Sequence, residues 1–156
     1  GDILLYTGPF VVGTAGSHTV EFWSRDNDQN IEAAQTVAIK VDETQPIVTV
    51  LANPPILKHV NGKMVSVRIS GTITDATSGV DPSTGVYSTV DSYGLVQPTG
   101  TFTVAADGTF SFTVLLEAKL NKRANVARTY RVTIRASDLA GNQGINSVIV
   151  TVPTKR

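Results

Sequence analysis

The sequence predicts an all-β chain built as tandem β-domains, and three observations carry that prediction. Residues 18–30 lie over residues 130–142 without a gap, and each copy alternates apolar and polar positions into an Asp-x-x-x-Asn turn, Asp26 to Asn30 or Asp138 to Asn142. Each copy then alternates again, through Val37, Ile39 and Val41 or through Val148, Val150 and Val152. Each copy therefore reads as a β-hairpin, and a hairpin that recurs at this separation means a repeated module. Composition is the third observation: 41% of residues are hydrophobic and Thr and Val are abundant, which suits cores built without a helical framework.

Residues 1–43 read as the C-terminal half of a first domain. Segments 4–6 and 10–12 flank the turn Thr7-Gly8-Pro9, and segments 19–25 and 35–41 form the first hairpin, four short strands at most. An immunoglobulin-type sandwich needs about seven. Gly1 sits almost directly before a strand, so the chain is expected to be a fragment of something longer. Its truncated sandwich is expected to need shelter from the second domain or from another copy, because an open edge and core are a liability. Residues 44–46, Thr44-Gln45-Pro46, read as a short, stiff linker, since Pro46 donates no hydrogen bond and biases Gln45 to an extended geometry.

Residues 47–153 read as one complete domain, followed by a tail at 154–156. Segment 47–51 opens it and Asn53-Pro54-Pro55 breaks the strand. Met64–Thr74 places Val65, Val67 and Ile69 on one face with Ser66, Arg68 and Ser70 on the other. After a loop at 75–82 come strands at 86–90, 100–104 and 109–114, the last two joined by a tight hairpin turn at Ala106-Asp107-Gly108. Segment 115–125 has mixed spacing and reads as a long crossover between sheets, with room for one helical turn. Tyr130 then stands where a tyrosine corner is expected, its ring on the core and its hydroxyl bonded back to the preceding loop. His18 holds the matching place in the first copy, where an imidazole fills the same space and satisfies its nitrogens locally.

The chain resembles bacterial immunoglobulin-like repeats of secreted and surface proteins. In the first copy the likeness rests on the segment Tyr6-Thr-Gly-Pro-Phe10, on Gly16-Ser-His-Thr-Val-Glu-Phe22 and on Val41-Asp-Glu-Thr-Gln-Pro46. In the second it rests on Gly71-Thr-x-Thr-Asp75, Ser78-Gly-Val80, Asp107-Gly108 and Ala136-Ser-Asp-Leu-Ala-Gly-Asn142. The resemblance implies tandem immunoglobulin-like β-sandwiches, the first one truncated, at the cell surface or outside the cell. It implies a non-catalytic spacer, stalk or adhesion role. The partners it implies are neighbouring repeats of the same chain and, at the surface, a glycan or a host protein. One departure is Gln29, which stands where the second copy has Gly141.

Several function classes are excluded or disfavoured by the residues themselves. Lys and Arg number 13, equal to Asp and Glu, and they are scattered over alternate strand positions, so no basic face tracks a nucleic-acid backbone. No run approaches the ~20 apolar residues that cross a bilayer. Cysteine is absent, which rules out disulfides and thiolate metal sites. The two histidines, His18 and His59, lie in a strand start and a loop with no evident nucleophile beside them, and the carboxylate pairs Asp75 with Asp81 and Asp26 with Asp28 lack a cleft. No enzyme is expected.

Two binding readings remain. Trp23 falls on the polar phase of its strand, where an exposed indole offers a stacking platform for a sugar face, and this supports the alternative role of an accessory carbohydrate-binding module of a secreted hydrolase. The sharper expectation is Ca²⁺ at the joint between domains. In this topology the chain's entry, the loop after the second strand and the last hairpin turn share one end of the sandwich, and they carry Asp42 and Glu43, Asp75 and Asp81, and Asp138 with Asn142. Oxygen ligands from three segments suit a hard cation. The competing reading makes each Asp a turn cap that accepts backbone N–H bonds.

Overall fold

The computed structural model describes residues 4–58, 61–120 and 126–154, and the chain divides into two compact units, Gly1–Glu43 and Thr44–Arg156. In the first unit, β1 (Gly16–Phe22) pairs antiparallel with β2 (Gln35–Val41), from Gly16 opposite Val41 to Phe22 opposite Gln35. These are the two strands of the unit among the described residues, not the four expected at most. Residues 4–12 form no strand, because Pro9 has no amide hydrogen to give to a ladder and no third strand lies in register to receive one.

Past the strands, the first hairpin continues to a bridge between Arg25 and Ile31. Counting back to Phe22 and Gln35, Trp23 and Ser24 on one side oppose three residues, Glu32, Ala33 and Ala34, on the other. Because the Glu32 N–H donates to the Ser24 carbonyl at 3.1 Å, the extra residue falls at Ala33 and Ala34 opposite Trp23, a β-bulge. One added residue shifts the register of everything beyond it. The bulge thus makes Val20 face Val37 and His18 face Ile39, as Val132 faces Val148 and Tyr130 faces Val150 in the second hairpin.

The second unit is a β-sandwich. One sheet holds β3 (Ile47–Val48) and β4 (Leu51–Asn53) along one edge of β5 (Met64–Thr74), with β8 (Thr109–Glu117) on the other edge. The second sheet runs β10 (Gln143–Val152), β9 (Arg128–Ser137), β6 (Val86–Asp91) and β7 (Thr99–Thr101). A parallel bridge between Ile56 and Thr151 lays the chain after β4 along the edge of β10. The two antiparallel sheets pack face to face as a β-sandwich.

The core lies between the sheets, where alternation delivers Val67, Ile69 and Ile73 from β5 and Phe110, Val114 and Leu116 from β8 against Val132, Ile134, Val150 and Val152. Phe102, Phe110, Phe112 and Tyr87 stack through it with ring centroids 4.4 to 6.2 Å apart. Two strand expectations need correction. β7 ends at Thr101, while the Phe102 and Val104 N–H groups go on to donate to the Gly85 and Pro82 carbonyls at 2.9 and 3.1 Å and their side chains enter the core. The tight turn does form, with the Gly108 N–H donating to the Ala105 carbonyl at 2.8 Å and Gly108 at φ 81°. It passes the chain from one sheet to the other, however, and is not a hairpin. β8 runs on to Glu117, since Leu116 is buried and Leu115 exposed in continued alternation, and residues 118–120 hold no helical turn. The rest of the expected crossover, residues 121–125, lies outside the described residues, as does His59.

Candidate functional site

Asp138 closes the turn between β9 and β10 and is almost fully buried. Its Oδ1 accepts the backbone N–H groups of Ala140 and Asn142 at 2.9 and 2.8 Å, and its Oδ2 accepts Asn142 Nδ2 at 2.9 Å. The Gly141 N–H donates to the Asp138 carbonyl at 3.2 Å from φ 93°, a conformation that glycine adopts without a Cβ penalty. Asp and Asn at this spacing are thus each other's partners. Asp75 performs a related task in the loop after β5: its Oδ1 accepts the N–H groups of Thr77, Ser78 and Gly79 at 2.9 to 3.0 Å, and its Oδ2 lies 3.5 Å from the Thr44 hydroxyl.

The two turns are tied together. The Leu139 N–H donates to the Gly79 carbonyl at 2.9 Å, Val80 bridges to Asp138, and the Asp81 N–H donates to the Ser137 carbonyl at 3.0 Å. As a result Asp75 and Asp138 each offer a carboxylate oxygen within 4.8 Å of the other. Asp81 stands outside this pair. Its Oδ1 is taken by the Ser83 hydroxyl at 2.7 Å and the Ser83 N–H at 2.9 Å, which hold the Asp81 carboxyl below its usual range. Asp42 and Glu43 belong to the first unit, Asp42 half-buried and Glu43 exposed.

Trp23 is exposed at the bulge, and Phe22, its neighbour in the chain, lies on the opposite phase of the strand. The pair therefore forms no single aromatic platform. Tyr130 makes the expected corner: its ring is buried, its hydroxyl donates to the Glu117 carbonyl at 2.8 Å, and burial pushes the phenol up to about 12. His18, in the matching place, donates from Nε2 to the Thr14 carbonyl at 2.6 Å.

Reasoning from sequence missed the buried charge at the far end of the sandwich. Arg128 is one of the basic residues scattered along the strands, yet it is fully buried. Its Nε and Nη2 donate to the two oxygens of Asp91 at 2.9 and 2.6 Å, and its Nη1 donates to Glu117 Oε2 at 3.0 Å. The guanidinium lies 4.8 Å from the ring centroids of both Tyr93 and Tyr130. Burial alone would raise the Asp91 carboxyl, but Arg128 and the N–H groups of Tyr93, Val96 and Leu95 outweigh it and hold the group well below the usual carboxylate range. A signal was present, since Arg128 shares the inward phase of Tyr130, Val132, Ile134 and Ala136.

The arrangement binds turns and buries an ion pair, and it pairs two carboxylates at one end of the sandwich. In comparison with known proteins, no family model matches the chain and no curated protein is significantly similar to it.

Proposed function

We propose that the chain is a non-catalytic structural module, a spacer or adhesion stalk of immunoglobulin-like repeats in a bacterial surface or secreted protein. The observation that supports it is the recurrence of one hairpin device in both units. The Asn30 N–H donates to Asp26 Oδ1 at 2.8 Å and Asn30 Nδ2 to Asp26 Oδ2 at 2.8 Å, the same bonds that join Asn142 to Asp138. Repeating a self-closed turn serves architecture, whereas catalysis needs a nucleophile and an oriented base left open to substrate. The purified chain is expected to turn over no glycoside, ester or peptide. Turnover abolished by one Asp or His substitution overturns the reading. A sugar-binding role rests on Trp23 alone, and titration of its fluorescence with oligosaccharides tests it.

Calcium at the joint belongs to the same proposal. Asp75 and Asp138 bring two negative charges close, and a divalent cation would relieve their repulsion. Asp42 precedes Thr44 by two residues, a reach of about 7 Å of extended chain, so covalent geometry permits it as a third ligand. Water would complete the oxygen shell. Binding confined to the folded state adds about 2.7 kcal/mol at a hundred times Kd, so thermal melts in millimolar Ca²⁺ are expected above those in chelator. Coincident curves would make the carboxylates turn caps and nothing more.

A further inference from the structure

The two outer faces of the sandwich differ. On the β5–β8 side the outward positions are mainly hydroxyls, and exposed aliphatics such as Leu51, Met64 and Leu115 stand apart from any cation row. The single arginine there, Arg68, is held by Ser111 at 2.7 Å between Asn53 and Thr113. On the other side the ladder sets Ile145, Arg135 and Val86 in one row and Ile149, Arg131 and Val90 in another, with Thr133 and its Ser neighbours between. Ile145 and Val90 are 55% and 56% exposed. Arg131 donates to Ser147 at 3.1 Å, and no carboxylate stands in these rows. Each arginine is thus flanked by exposed aliphatics on both sides, a surface suited to a partner that is acidic and apolar together.

Such a partner is present in the sequence. The first unit, residues 1–43, has seven acidic residues against two basic, Arg25 and Lys40, while the second has six acidic against eleven basic. The formal charges are therefore opposite and equal, and the chain as a whole has a net charge of +0. The first unit also leaves Phe22 and Val37 of its hairpin exposed at 52% and 46%, whereas the matching Ile134 of the second hairpin is buried.

We propose that copies of this chain associate head to tail, the acidic first unit of one copy docking on the arginine-bearing face of the β10–β9–β6–β7 sheet of the next. Pairing of like faces is disfavoured, because it sets arginine against arginine or acid against acid. A head-to-tail contact between unlike surfaces leaves one of each surface free on every added copy, so it builds assemblies larger than a dimer, open chains or rings. Three rows across the strands β10, β9 and β6 cover about 20 by 14 Å, roughly 300 Å², under half the area per partner of a standard interface. The association is therefore weak for a single contact. It stands apart from the spacer reading, which a strictly monomeric chain leaves intact.

Sedimentation velocity of the full chain in chelator, from low to high micromolar concentration, tests the proposal. In low salt the average mass is expected to rise past that of a dimer, and in high salt to fall, since exposed charges are screened. Arg131→Glu with Arg135→Glu is expected to weaken association at least tenfold while leaving the melting temperature unchanged. Glu21→Lys with Asp28→Lys is expected to do the same, and mixing the two variants is expected to restore assembly. A chain that stays monomeric in low salt overturns the proposal. So does association indifferent to the arginine reversal, or a mixture that fails to recover.

Discussion

The hairpin β1–β2 and the hairpin β9–β10 share a turn, a register and a set of aligned apolar residues, yet one is open and the other lies at the centre of a core. Asp26 and Asp138 make the same bonds to Asn30 and Asn142. Asp26 is exposed and Asp138 is 2% exposed. Val20 and Val132 occupy equivalent places, and only Val132 is fully buried. The difference teaches that a hairpin's local chemistry is independent of its burial. What the second hairpin has in addition is an opposing sheet and a buried charge anchor, Arg128, at the place where the first has Gly16.

Removing that anchor is the most severe way to break the comparison. Arg128→Met leaves the Asp91 carboxylate buried without its guanidinium, and breaking a buried pair costs about 3–5 kcal/mol. Chemical denaturation is expected to show that loss, and Arg128→Met combined with Asp91→Asn, which removes the charge but keeps an acceptor oxygen toward the N–H groups of Tyr93, Leu95 and Val96, to recover part of it. The pH dependence follows from the depressed Asp91 carboxyl. Its contribution is present above the unfolded-state value of about 4 and is lost as pH falls through the lower folded-state value. Stability of the native chain is therefore expected to drop on acidification below about pH 4, and that of the double variant to drop less. Equal acid sensitivity in both would mean that Asp91 is not the group being protonated.

The two turn carboxylates give the next effect. Asp138→Ala leaves two backbone N–H groups and the Asn142 amide without their acceptor in a buried site, a loss of about 1–3 kcal/mol. Asp26→Ala is expected to leave the unfolding midpoint nearly unchanged, because water replaces the lost acceptor. The Asn30 side chain, and next its N–H, hold the Asp26 carboxyl below its ordinary value, so its titration by NMR is expected to fall on the acid side of a free aspartate. If Asp26→Ala costs as much as Asp138→Ala, burial is not what separates the copies.

The smallest effect lies in the third position after each Asp. Gly141 adopts φ 93° and Gln29 adopts φ 70°, a region that costs a residue with a Cβ about 1–2 kcal/mol. Gly141→Ala is expected to lose about that much. Gln29→Gly relieves the same strain and is expected to slow amide exchange at Asn30. An unchanged exchange rate would show that the first turn tolerates Gln29 without cost.

The sequence by itself determined the all-β class, the extent of β5 at Met64–Thr74, the Asp-x-x-x-Asn turns and the Tyr130 corner. These follow from alternation and turn chemistry, which act over a few residues and need no knowledge of what lies opposite. It also named Asp75 and Asp138 together, since strands of a sandwich return to the same end. Only the tertiary structure decided that regular β7 stops at Thr101, that the Gly108 turn joins two sheets, and that residues 4–12 form no strand. It also decided that Arg128 is a core residue. An inward-phase arginine is tolerated only when Asp91, Glu117 and two tyrosine rings converge on it, and its main partner, Asp91, lies 37 residues away along the chain. Pairing and charge compensation at that range are set by which segments meet in space, and no local pattern encodes it.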